Sequence, residues 1–231
     1  MALYLLLNIG SFLIPFIYSF ERKMRFIRLW KPLFLAILIV AFPFIVWDII
    51  FTANGVWGFN PNYYLGFKLF GLPLEELMFF VCIPYASIFT HYAYIHFFEK
   101  YSLSVKMVKA ITILLFLIFS VVVLISFPKI YTTVNFSVFL LLLAYSLFVK
   151  ENHLSYFYIT FLIILLPFLI VNGILTGSFI DGEVVWYNPE ENMGIRIGTI
   201  PFEDLIYAFN LLYLNLILTE RLRPIFKANT N

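Results

Sequence analysis

Two short stretches concentrate the acid chemistry of this chain. Pro73-Leu74-Glu75-Glu76 and Pro201-Phe202-Glu203-Asp204 each set two adjacent carboxyl groups behind a proline, at the head of a long apolar run. Two readings compete. A proline in the first helical turn is a start signal, and a carboxylate beside a helix N-terminus gains ~0.3–1 kcal/mol from the helix dipole. Capping of this kind accounts for Glu75 and Glu203. It accounts poorly for Glu76 and Asp204, and it does not explain why an adjacent pair occurs twice. The second reading is a proton donor, because burial among apolar groups favours a carboxyl group's neutral form. If the pairs are shielded from water they can hold a proton; if the preceding loops leave them wet, capping is the whole explanation.

Other site chemistry is excluded or weak. No Gly-rich loop opens a helix after a strand, so no nicotinamide or flavin cofactor is expected. The single Cys82 rules out an intramolecular disulfide and a cysteine metal site. His91 lies 15 residues beyond Glu76, ~22 Å along a helix, so no His–acid metal site is expected. No span carries a lysine in its middle, which excludes a retinal Schiff base, and no Asp-rich pair could clamp a prenyl diphosphate through magnesium.

The elements that must position these acids are membrane helices. Of the 231 residues, 63% are hydrophobic and 12% charged, against ~25% charged in a soluble domain. The apolar runs reach the ~20 residues a span needs. The expected fold is all-α, a polytopic membrane protein with seven transmembrane helices at roughly 2–20, 32–52, 74–97, 108–127, 133–149, 154–175 and 201–219. The first is read as a retained helix rather than a signal peptide, lacking a charged leader and a cleavage site. Twelve of the 15 basic residues, Lys150 and Lys227 among them, fall in breaks on one side. The positive-inside rule then places the protein in the cell membrane with its N-terminus outside and its C-terminus cytoplasmic. The net charge of +2 reflects that topology and indicates no nucleic-acid partner.

The chain repeats itself. A shift of 128 residues lays Asn60-Pro61 on Asn188-Pro189, Gly66 on Gly194, Pro73 on Pro201, Glu75 on Glu203, Glu76 on Asp204 and Tyr85 on Tyr213. Allowing four extra residues in the second loop, Asp48 meets Asn172 and Thr52 meets Thr176. The repeat offset is four spans, so the copies share one orientation and a pseudo-two-fold axis runs along the membrane normal. The expected division is a first repeat at 1–105, a connector helix at 106–130 and a second repeat at 131–231. Phe, Tyr and Trp make up 21% of the chain. Most of them pack or face lipid, but aromatic faces also attract cations by ~0.5–2 kcal/mol, which suits an acid that protonates an alkene.

This duplicated unit, with its Asn-Pro loop, its glycine and its Pro-x-Glu-Glu or Pro-x-Glu-Asp helix start, resembles the membrane-integral lycopene cyclase family in its fused tandem form. The resemblance covers nearly the whole chain. It implies a lycopene β-cyclase that closes β-rings on lycopene without redox change to give β-carotene, with no cofactor and no metal. Carried over, the acidic motif falls on Glu75, Glu76, Glu203 and Asp204 as catalytic residues, with Glu75 or Glu76 as the acid. The expected substrate-binding residues are Asp48, Trp57, Asn60, Phe79, Phe80, Asn172, Trp186, Asn188 and Tyr207. The second copy departs from the first at Asp204, at Asn172 and at Ala208, which stands where Phe80 would be, so the halves need not be equally catalytic. The implied partners are lycopene, arriving sideways from lipid, and membrane lipid itself; a homo-oligomer is compatible. The rivals are a cyclase of fifty-carbon or ε/γ-ring carotenoids, a proton-coupled transporter and a non-catalytic scaffold. Whether there are one or two pockets is left open.

Overall fold

The computed structural model describes residues 2–149 and 153–228. Seven α-helices form a bundle: α1 Leu3–Tyr18, α2 Trp30–Ala53, α3 Leu74–Phe98, α4 Val105–Ser126, α5 Ile130–Phe148, α6 Leu154–Leu175 and α7 Phe202–Ala228. Six are long and apolar enough to cross a membrane. The first, at 16 residues, is ~24 Å long by helical rise and falls short of the ~30 Å hydrocarbon core.

The expected spans match the helices closely except at the end of the chain. There α7 runs past residue 219, carrying Glu220, Arg221 and Arg223 within the helix rather than in a following break. Charges end an apolar run without ending a helix, and here they find partners: Arg223 pairs with Glu220 at 3.0 Å and lies over the Tyr92 ring, and Tyr92 donates to Glu220. Lys150, one of the basic residues used to orient the chain, lies outside the described residues.

The internal repeat is visible as α1–α3 and α5–α7, with α4 between them. The loops that precede the two acid-bearing helices join the halves reciprocally. Strand β1 (Trp57–Phe59) pairs antiparallel with β4 (Val185–Tyr187), with Gly58 opposite Trp186 at the centre. The Asn60 N–H donates to the Val184 carbonyl and the Asn188 N–H donates to the Val56 carbonyl, both at 2.9 Å. Such an exchange of identical bonds is what a two-fold relation produces. The hairpins before the two acid-bearing helices also match: β2 (Lys68–Leu69) with β3 (Leu72–Pro73), and β5 (Arg196–Ile197) with β6 (Ile200–Pro201). Gly66 and Gly194 both sit at positive φ, 90° and 74°, where a side chain would be strained. Helix α7 occupies the middle of the bundle, against α2, α3 and α5, while α4 lies on the periphery.

Candidate active site

The two acidic pairs begin α3 and α7, and each pair divides its labour in the same way. The first acid holds the loop behind it. Glu75 Oε1 accepts the Leu65 N–H at 2.7 Å, and Glu203 Oε1 accepts the Met193 N–H at 2.7 Å and the Thr132 hydroxyl at 2.6 Å. Leu65 and Met193 are themselves one repeat apart. The second acid faces inward. Glu76 and Asp204 line one shared cavity of about 340 Å³, together with Asp48. The halves therefore build a single acid cluster across the pseudo-two-fold axis.

The three carboxyl groups have different hydrogen-bond surroundings. Asp204 is saturated: Tyr131 donates to Oδ1 at 2.6 Å, and Asn172 and Tyr187 donate to Oδ2 at 2.8 and 2.9 Å. Asp48 Oδ1 accepts from the Trp57 indole at 2.6 Å and from Thr52 at 3.2 Å, while its Oδ2 is buried with no partner among the described residues. Glu76 accepts from Tyr4 at 2.5 Å. Asp48 and Asp204 both lie within electrostatic reach of Glu76. No Lys, Arg or His is among the residues lining the cavity, so among the described residues no basic side chain faces these acids there.

Aromatic rings enclose the cluster. Trp57, Tyr131, Tyr187 and Tyr207 lie within 5–6.5 Å of one another in successive ring contacts, and Phe79 and Phe59 add to the wall. Away from the acids the cavity becomes an apolar slot between α1, α3 and α6. It is lined by Gly10, Ile14, Ile83, Ala86, Phe168 and their neighbours and reaches Ser87 and Thr90. Gly10, Ile14 and Pro167 are exposed at the bundle's outer surface while lining it, so the slot opens sideways.

Of the expected residues, Glu76, Asp204, Asp48, Trp57, Phe79, Asn172 and Tyr207 meet at the cavity. Glu75 and Glu203 sit just behind it. Phe80 packs into the neighbouring core with Phe44 and Leu211. Asn60 and Asn188 turn the loops that precede α3 and α7, accepting from Asn62 and Glu190 N–H groups. Trp186 covers Gly58, where a Cβ would collide with its ring, and is 40% exposed.

The residues that sequence reasoning missed are Tyr4, Tyr131 and Tyr187. A shift of 127 residues instead of 128 finds the first two. Tyr4, Asn8 and Ser19 fall on Tyr131, Asn135 and Ser146, and each member has the same job. The tyrosines donate to the second acid of their pair, and Asn8 and Asn135 donate to the carbonyls of Glu75 and Glu203. Ser19 and Ser146 meet the hydroxyls of Tyr85 and Tyr213.

A family model for lycopene cyclase matches residues 1–95 and again residues 128–222, one match per repeat. No curated protein and no solved structure matches the chain. The two matched segments leave only the connector and the chain end outside them, and they coincide with the two three-helix units that build the acid cluster. The chain belongs to the lycopene cyclase family, as a fused tandem, membrane-embedded enzyme that cyclises a carotenoid.

Proposed function

We propose that the protein is a lycopene β-cyclase, converting lycopene to β-carotene by acid-initiated, non-redox isomerisation, and that Glu76 is the general acid. The observation that carries this reading is the convergence of Glu76, Asp48 and Asp204 on one aromatic-walled, laterally open cavity that no basic side chain lines among the described residues. Three carboxylates confined together repel one another in a medium of low dielectric, so charge balance favours retaining a proton in the cluster. Asp204 has both oxygens occupied by three donors, which suits a fixed anion. Glu76, with one donor and a face on the slot, is the group placed to give its proton away.

The proton goes to carbon 2 of the terminal alkene and leaves a cation at carbon 1. The electron pair of the next double bond closes the bond from carbon 6 to carbon 1, moving the cation to carbon 5. Loss of the carbon 6 proton to the carboxylate cluster forms the ring double bond. Atoms balance and the acid is regenerated, so no redox cofactor is required. Asp204 and the faces of Trp57, Tyr187 and Tyr207 stabilise the cation, each ring by ~0.5–2 kcal/mol. General acid catalysis from a positioned carboxyl contributes ~10²–10⁴ in rate.

The test is incubation of membranes containing the protein with preformed unlabelled lycopene in D₂O, with chromatography and mass analysis of the pigment. β-Carotene is expected, with deuterium from the acid appearing at carbon 2 of each ring. Unconverted lycopene, with the protein shown folded in the membrane, would refute the reading and favour a fifty-carbon substrate.

A further inference from the structure

The duplicated scaffold offers the slot twice, and the two copies are filled differently. The slot lies between α1, α3 and α6, with the upper part of α7 as its back wall. The repeat maps this arrangement onto α5, α7, α2 and α3. Helices α6 and α2 align through Pro167 with Pro43, Phe168 with Phe44 and Asn172 with Asp48. At four matched positions the slot has the smaller residue: Val171 against Trp47, Ala208 against Phe80, Ala86 against Leu214, and Thr90 against Leu218. The four larger side chains pack in one apolar cluster with Phe44 and Leu211.

We infer that the protein has a single polyene-binding slot, its twin being plugged by Trp47, Phe80, Leu214 and Leu218, so lycopene is cyclised one end at a time and released between rings. The inference rests on the lycopene cyclase reading above. Size supports it. From Glu76 to Thr90 the slot follows α3 for ~21 Å, and the cavity holds about 340 Å³. An extended forty-carbon polyene exceeds both, so its distal half projects through the side opening at Gly10, Ile14 and Pro167 into lipid. Glu76, Asp204 and Asp48, acids from both halves, all line this one cavity. After the first ring closes, the unreacted end can reach Glu76 only if the molecule leaves and returns reversed. A one-ringed carotene is then a free intermediate that other membrane enzymes could draw on.

Membranes containing the protein would be given isotopically labelled lycopene together with an excess of unlabelled one-ringed carotene, and label in the one-ringed pool and the two-ringed product followed from the earliest times. Label entering the one-ringed pool first, with a lag before it reaches the two-ringed product, is expected. Labelled two-ringed product at the earliest times, with no label entering the one-ringed pool, would overturn the single-slot inference while leaving the cyclase reading intact. Absence of any ringed product would overturn both. A variant pair locates the slot. Ala86→Leu should slow first-ring closure about tenfold or more, the scale on which a small apolar group decides pocket fit. The mirror change Leu214→Ala, normalised to folded protein, should leave it at the parent rate. Equal loss in both variants would refute the assignment of the open side.

Discussion

Glu203 separates a structural acid from a chemical one. It is fully buried, yet it does not line the cavity. Its Oε1 accepts the Met193 N–H at 2.7 Å and the Thr132 hydroxyl at 2.6 Å. Glu203→Ala strands both donors, and at ~1–3 kcal/mol for each buried donor left unsatisfied the loss is ~2–6 kcal/mol. That is a large fraction of the ~5–15 kcal/mol that holds a typical domain folded. Glu203→Gln keeps an acceptor oxygen in place, and its amide replaces Oε2, which has no partner among the described residues, so the loss should fall to ~1–2 kcal/mol. For a chain of this size 1 kcal/mol corresponds to ~2–4 °C in melting temperature. Tryptophan-fluorescence melts of the detergent-solubilised protein should rank parent, then Gln, then Ala. Carotenoid conversion per folded Gln variant should stay near the parent rate. A Gln variant that melts like the parent but forms no rings would refute the division of labour within the pairs and return Glu203 to the catalytic group.

Three further outcomes follow from the same geometry. Trp57→Phe removes the 2.6 Å indole donor to Asp48 while keeping an aromatic face, and should slow ring closure about tenfold with the protein still folded, ~1.4 kcal/mol, read as conversion per folded protein. Tyr131→Phe takes one of three donors from Asp204 and should cost about five- to tenfold, ~1–1.4 kcal/mol, in the same assay. Asn172→Asp replaces the donor 2.8 Å from Asp204 with a second carboxyl, and should lose more activity than Asn172→Ala, because like charge is added as well as a donor removed.

Much of this arrangement was legible in the sequence because a gene-scale repeat preserves register. The Pro-x-Glu-Glu and Pro-x-Glu-Asp starts located both ends of the site, and Asp48 with Asn172 located the helices α2 and α6 that approach it. Apolar length delimited the helices except at the end of α7, which continues through Glu220, Arg221 and Arg223. What escaped was what depends on convergence in space. Tyr4 and Tyr131 stand one residue out of the 128-residue register and begin helices far in sequence from the acids they serve. Tyr187 reaches Asp204 only because β4 pairs with β1 across the two halves. The roles of Glu75 and Glu76 were inseparable in sequence, because adjacent residues on a helix differ by ~100° in direction, and only the packed bundle shows which one meets the slot. The unequal filling of the two matched slots was invisible for a related reason. Ala208 in place of Phe80 was noticeable as a mismatch, but its meaning, a hollow on one side and a plug on the other, requires knowing that Trp47, Leu214 and Leu218 gather around Phe80.

The central claim is that Glu76 delivers the proton. Glu76→Gln preserves size and an acceptor for Tyr4 but cannot act as the acid. Expressed beside the parent in lycopene-accumulating cells, with membrane protein and melting temperature measured in parallel, the variant should remain folded and leave lycopene unconverted. Ring formation at the parent rate by the folded variant would contradict the account.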